Sequence, residues 1–127
     1  MASVSTQNEM LKEPSMYRSA LIRRFDFSSE LQRMSVLCKN EFDEGDFKAF
    51  VKGSPEKISE LCRPETLPVD FARVLSRYTT EGYRVIALSY KNLTGLNYRS
   101  SQTITREEVE SNLTFLGLLV MENKMKP

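Results

Sequence analysis

Hydrophobic and polar positions alternate with a period of two over the early part of this chain, then switch to a helical spacing. Residues 19–27 and 32–39 read as strands joined by the polar stretch Ser28-Ser29-Glu30. On an extended chain Leu21, Arg23, Phe25 and Phe27 point one way while Ile22, Arg24 and Asp26 point the other. An acidic loop over residues 40–46, with one glycine, leads to a third strand at 47–51. At Gly53-Ser54-Pro55 the period changes. Ser54 suits an N-cap, and Pro55 suits the first helical position because its missing N–H has no partner there anyway. That helix presents Ile58, Leu61 and Cys62 to a core and stops at Pro64. A second helix is expected over 69–80, where Phe71, Val74, Leu75 and Tyr78 make an apolar stripe and Gly82 terminates it.

Residues 83–90 form the next strand. Val85, Ala87 and Ser89 alternate with Ile86, Leu88 and Tyr90, so both faces are expected to be buried. Residues 95–103 read as a polar loop. Thr105 opens a capping box with Glu108 and a short helix to about residue 111. Residues 113–121 form the last strand, in which Gly117 marks a close approach of another backbone. The order of strands and helices predicts an α+β domain with a mostly antiparallel sheet and helices packed on one face. Its expected span is 18–122, preceded by a disordered or non-native stretch at 1–17 and followed at 123–127 by the start of a connection to a further domain.

Composition narrows the chemistry. The 127 residues fit one domain, and 40% hydrophobic with 28% charged residues is ordinary for a globular chain. With 18 Lys+Arg against 17 Asp+Glu the net charge is +1, which argues against a general nucleic-acid or anionic-membrane binder. There is no histidine, so Ser-His and Cys-His nucleophilic chemistry is closed. Two cysteines without histidine are too few for a zinc site, and reduced thiols are the expectation for Cys38 and Cys62. No carboxylate cluster has metal-ligand spacing: Asp43, Glu44 and Asp46 read as solvated turn charges. No apolar run is long enough to cross a bilayer as a helix.

Three segments carry candidate chemistry. In FVKGSPE, residues 50–56, a strand delivers Lys52, Gly53 permits close backbone approach, and a helix starts at once; a compact charge beside free N–H groups suits a phosphate. Taken alone, the same pair fits a solvated lysine at an ordinary strand–helix junction. Phe27 ends a strand before a turn, where an exposed ring can stack on a purine, although this segment taken alone favours a core phenylalanine. Arg84 enters a hydrophobic strand, either to fork onto phosphate oxygens or to snorkel from a strand edge.

Together the three segments resemble the nucleotide-binding domain of P-type ATPases. That family carries F-S-x-x-x-x-R/K-M-S-V, then KGAPE or KGSPE, then G-x-R-x-x-A-L, then F-x-G-x-x-x; here these stand at residues 27–36, 52–56, 82–88 and 115–120, in the family's order. RRFDFSSELQRMSV at 23–36 and FLGLLVMENKMKP at 115–127 are similar to the type-five branch associated with polyamine and with lysosomal or endosomal cation transport.

The resemblance implies ATP binding, with Phe27 stacking on adenine, Lys52 and Gly53 lining the pocket, and Arg84 contacting the phosphates. Gln32, Arg33, Met34 and Ile86 are secondary pocket candidates. Many relatives have basic residues where Ser29 and Gln32 stand, a loss that Arg33 would offset in part. The family's Asp-Lys-Thr-Gly-Thr phosphorylation motif does not occur in this sequence, so no catalytic residue is assigned. The implied role is to present the γ-phosphate of ATP to an aspartate on a separate domain, as part of an ATP-driven translocase on the cytosolic face of an endomembrane, late endosome or lysosome. Mg2+ would be held mainly by the phosphorylation domain. The implied partners are that domain and the actuator domain, with no nucleic acid and no direct membrane contact. The competing reading is a degenerate module of the same fold that binds a protein partner and has little nucleotide affinity.

Overall fold

The computed structural model describes residues 19–40 and 46–122. The expectations for residues 1–17 and 123–127, for Asp43 and Glu44, and for most of the acidic loop lie outside these described residues. Five strands, β1 (Ser19–Ser28), β2 (Arg33–Asn40), β3 (Phe47–Gly53), β4 (Arg84–Leu93) and β5 (Thr114–Met121), form one sheet in sequence order, each neighbouring pair antiparallel. Helices α1 (Pro55–Leu61) and α2 (Phe71–Thr80) join β3 to β4, and the short α3 (Tyr98–Ser101) and α4 (Arg106–Val109) join β4 to β5. The α+β architecture expected from the sequence is the one observed.

Two clusters of buried side chains lie on one face of the sheet. Val51, Ala87 and Leu113 meet Ile58 and Cys62 from α1 and its cap; Leu37, Phe47 and Ala49 meet Val109 of α4. The apolar stripe of α2 packs beside the first cluster, with the Phe71 ring edge-on to Phe115 at 5.4 Å. Gly82, at φ 90°, ends that helix, and Tyr83 N–H donates back to Tyr78 O at 3.1 Å. α2 starts at Phe71 rather than at residue 69, because Pro68 and a fully exposed Val69 lie before its first turn.

Several expectations need correction. β4 is buried on one face only: Ala87 and Ser89 point inward, whereas Ile86, Leu88 and Tyr90 are half-exposed on a face that no helix among the described residues covers. Residues 95–103 are not all loop, because Asn97 and Ser100 cap each other reciprocally and nucleate α3. Among the described residues, no other backbone approaches the position a side chain would take at Gly117. That glycine pairs with Leu88 next to a register shift, where Leu116 is the extra residue of β5.

β1 departs from strict alternation in a way that matters for the site. Register shifts fall between Leu21 and Arg23 and between Phe25 and Ser28. Each inserts a residue and exchanges the faces beyond it. Arg23 and Phe25 therefore face the helices, while Leu21 and Phe27 belong to the open side, contrary to a single alternating row.

Candidate functional site

At one end of the open face, the turn between β1 and β2 meets the junction of β3 and α1. Ser28 O accepts from Gln32 N–H at 2.6 Å and Ser28 Oγ from Leu31 N–H at 3.1 Å, closing the turn. Gln32 sits at φ 59°, in the left-handed region that few non-glycine residues adopt. Its carbonyl accepts from Ser54 N–H at 3.1 Å, and Ser54 Oγ donates to Gln32 Oε1 at 3.3 Å. This contact explains Gly53. A Cβ there would stand 2.4 Å from Gln32 O and 2.7 Å from Arg33 Cβ, so only glycine allows the two segments to meet.

The result is a pocket of about 550 Å³ lined by Phe27, Gln32, Met34, Lys52, Gly53, Ser54, Arg84, Val85 and Ile86. That volume lies within the range of small-molecule sites. The antiparallel ladders bring the walls together: Met34 lies opposite Lys52 across β2 and β3, and Gly53 lies opposite Ala87 in β4, next to Ile86. Phe27 is 64% exposed and, among the described residues, makes no ring pair, so it has a face available for stacking. Lys52 and Arg84 are exposed and, among the described residues, have no ion pair or side-chain hydrogen bond. By contrast Arg23, Arg33, Arg63, Arg73, Arg77 and Arg106 are all engaged. An aromatic ring and two uncommitted cations around one cleft fit a ligand with a flat base and a polyanionic tail.

Seven of the eight sequence-derived candidates thus meet at one place: Phe27, Gln32, Met34, Lys52, Gly53, Arg84 and Ile86. Arg33 does not. It occupies the opposite face, where its Nε lies 2.5 Å from Oε1 of the buried Glu110, so it cannot replace the charge missing at Ser29 and Gln32. The physical reason is strand alternation, which sends Arg33 inward when Met34 lines the pocket. Ser54, read in the sequence only as a cap, and Val85 complete the lining. The cap role is also real: Ser54 Oγ accepts from Lys57 N–H at 3.3 Å. With that N–H occupied and α1 only seven residues long, the positive charge at this cleft comes from the Lys52 and Arg84 side chains more than from the helix end. Cys38 and Cys62 are both free, and burial pushes each thiol's pKa up.

A family model described as P-type ATPase, cytoplasmic domain N, matches residues 6–127. The chain belongs to this family. It is 44% identical over 119 residues to human polyamine-transporting ATPase 13A3, covering 93% of this chain and 10% of that protein. To human polyamine-transporting ATPase 13A2 it is 48% identical over 122 residues, 95% of this chain and 10% of that protein. To the vacuolar cation-transporting ATPase YPK9 of Saccharomyces cerevisiae it is 51% identical over 106 residues, 84% of this chain and 7% of that protein. These relatives belong to the type-five ATPases that the two quoted segments resemble. The domain-N chain spans about a tenth of the length of the first two. Among its described residues no helix is long and apolar enough to cross a membrane.

Proposed function

We propose that this chain binds ATP in the cleft between Phe27 and Arg84 and, within a longer P-type ATPase, delivers the γ-phosphate to an aspartate of a separate phosphorylation domain. The observation that carries this reading is the convergence of an unpaired exposed aromatic ring with two unpaired cations on one pocket. Phe27 stacks on adenine, Met34 and Ile86 form an apolar wall, and Lys52 and Arg84 meet the phosphates. The domain's contribution is then proximity and orientation. Mg2+, when bound, would neutralise phosphate charge, with its ligands coming mainly from the phosphorylation domain. The parent protein is inferred to drive cation or polyamine transport, following the names of its relatives, one of them vacuolar; a late-endosomal or lysosomal endomembrane is the location inferred from the resemblance of residues 23–36 and 115–127 to that branch.

An adenine-nucleotide titration followed by amide chemical shifts tests the site. Shifts are expected around Phe27, Lys52 and Arg84, with weak binding and no phosphate release by the isolated chain. Their absence would sink the reading. The alternative, a protein-docking module with little nucleotide affinity, draws on Phe50, Leu116 and Leu119, which are exposed on the same open face. Lys52→Ala separates the two: only the nucleotide reading predicts a lost ATP response with the fold intact.

A further inference from the structure

We propose that Glu110 is a positioning residue for the nucleotide pocket, acting through Arg33 from the far side of the sheet; the nucleotide part of this proposal rests on the reading above. Glu110 follows the last turn of α4 and is 1% exposed, with its side chain wholly covered. A carboxylate so placed is tolerated only if its oxygens are well satisfied. Oε1 accepts from Arg33 Nε at 2.5 Å, Oε2 accepts from Ser35 Oγ at 2.6 Å, and Arg106 Nε reaches both oxygens at 3.1 and 3.0 Å. Arg106 also donates through Nη2 to the Arg33 carbonyl at 2.8 Å. Arg33 is therefore held at its side chain and at its backbone by one helix.

Arg33 is flanked by two pocket residues, Gln32 and Met34, and pairs across the sheet with Gly53. Whatever fixes Arg33 fixes the pocket wall made by the β1–β2 turn. That wall needs fixing. Gln32 is in a left-handed backbone conformation, which persists only where the surroundings over-determine it. The constraints are the Ser54 N–H bond on the pocket side and the Glu110–Arg33–Arg106 cluster behind. Gly53 lies between them with no room for a side chain. An apolar contact would also tie α4 to the sheet, but it would not set the height of one backbone carbonyl and one side chain together.

The test uses the 127-residue chain and two readouts, the ATP dissociation constant and hydrogen exchange of the Ser54 amide. Glu110→Gln keeps the shape and removes the charge. It is expected to raise the ATP dissociation constant about tenfold and to speed Ser54 exchange by a similar factor, while the Cys62 amide, bonded to Ile58 O, is unaffected. Leu75→Ala, a core truncation in α2 away from the pocket, serves as the control for general destabilisation and is expected to move neither readout. Unchanged affinity and unchanged Ser54 exchange in folded Glu110→Gln overturn the proposal, as does an equal loss in Leu75→Ala. If Glu110→Gln does not fold, Arg106→Lys keeps the paired charge but loses the Nη2 bond to the Arg33 carbonyl that accompanies the Nε contact with Glu110. Faster Ser54 exchange there supports the proposal and unchanged exchange overturns it. Should the wild-type chain not bind ATP, the nucleotide reading fails, while Ser54 exchange still decides whether Glu110 positions this wall.

Discussion

Gly53→Ala probes the joint on which the pocket is built. The added Cβ would fall 2.4 Å from Gln32 O and 2.9 Å from Arg33 Cα, both backbone atoms, so no side-chain rotation relieves the contact. The ends of β2 and β3 must separate, and overpacking of this kind costs about 1–3 kcal/mol. Separation also breaks the Ser54 N–H bond to Gln32 O, a loss of about 0.5–1.5 kcal/mol. Together these come to about 1.5–4.5 kcal/mol, against a usual domain stability of about 5–15 kcal/mol, so the variant still folds. At about 4 °C per kcal/mol for a chain of this size, thermal unfolding should fall by about 6–18 °C. ATP affinity, followed by calorimetric titration at a temperature where the variant is folded, should fall too, because Gln32 and Phe27 shift away from Lys52. A transition within about 2 °C of wild type together with unchanged affinity would refute the account of Gly53 and of the wall it supports.

Phe27→Ala should leave stability almost unaltered, since the ring is 64% exposed, yet weaken ATP binding by about 1–3 kcal/mol if the base stacks there; an unchanged dissociation constant would remove Phe27 from the site. Leu113→Ala deletes a side chain with no exposure from the cluster under α1 and should cost about 2–5 kcal/mol in urea unfolding; a loss below about 1 kcal/mol would mean the cavity collapses. Glu108 has its pKa lowered, first by the Thr105 backbone N–H and then by the Thr105 hydroxyl. A lowered carboxyl pKa stabilises the fold above the ordinary carboxylate range, and that stability is lost as pH falls through the folded-state value. Glu108→Gln should therefore flatten the acid side of the unfolding-temperature profile between pH 7 and pH 3. Parallel profiles would show that this capping carboxylate is not linked to folding.

Much of this domain was legible in the linear chain because it rests on local chemistry. Alternating residues specified the strands, Ser54-Pro55 the start of α1, the stripe of Phe71, Val74, Leu75 and Tyr78 the second helix, and Thr105 with Glu108 the cap of α4. The motif order also singled out Phe27, Lys52 and Arg84 without any geometry. What alternation could not supply was the side of the sheet. The second of two register shifts in β1, between Phe25 and Ser28, carries Phe27 to the face opposite Phe25, and such shifts depend on how β2 pairs with β1 rather than on the residues of β1 alone. In β2 plain alternation took Arg33 out of the pocket, because its neighbour Met34 lines it. Its partner Glu110 lies 77 residues away, in a segment with no mark of a buried anion except an arginine four residues earlier. Local sequence thus determined which elements form and which residues carry charge or a ring. Tertiary pairing decided which of them share a cleft, because a facing depends on every residue inserted between two strands, and a buried charge depends on partners that only the folded chain brings near.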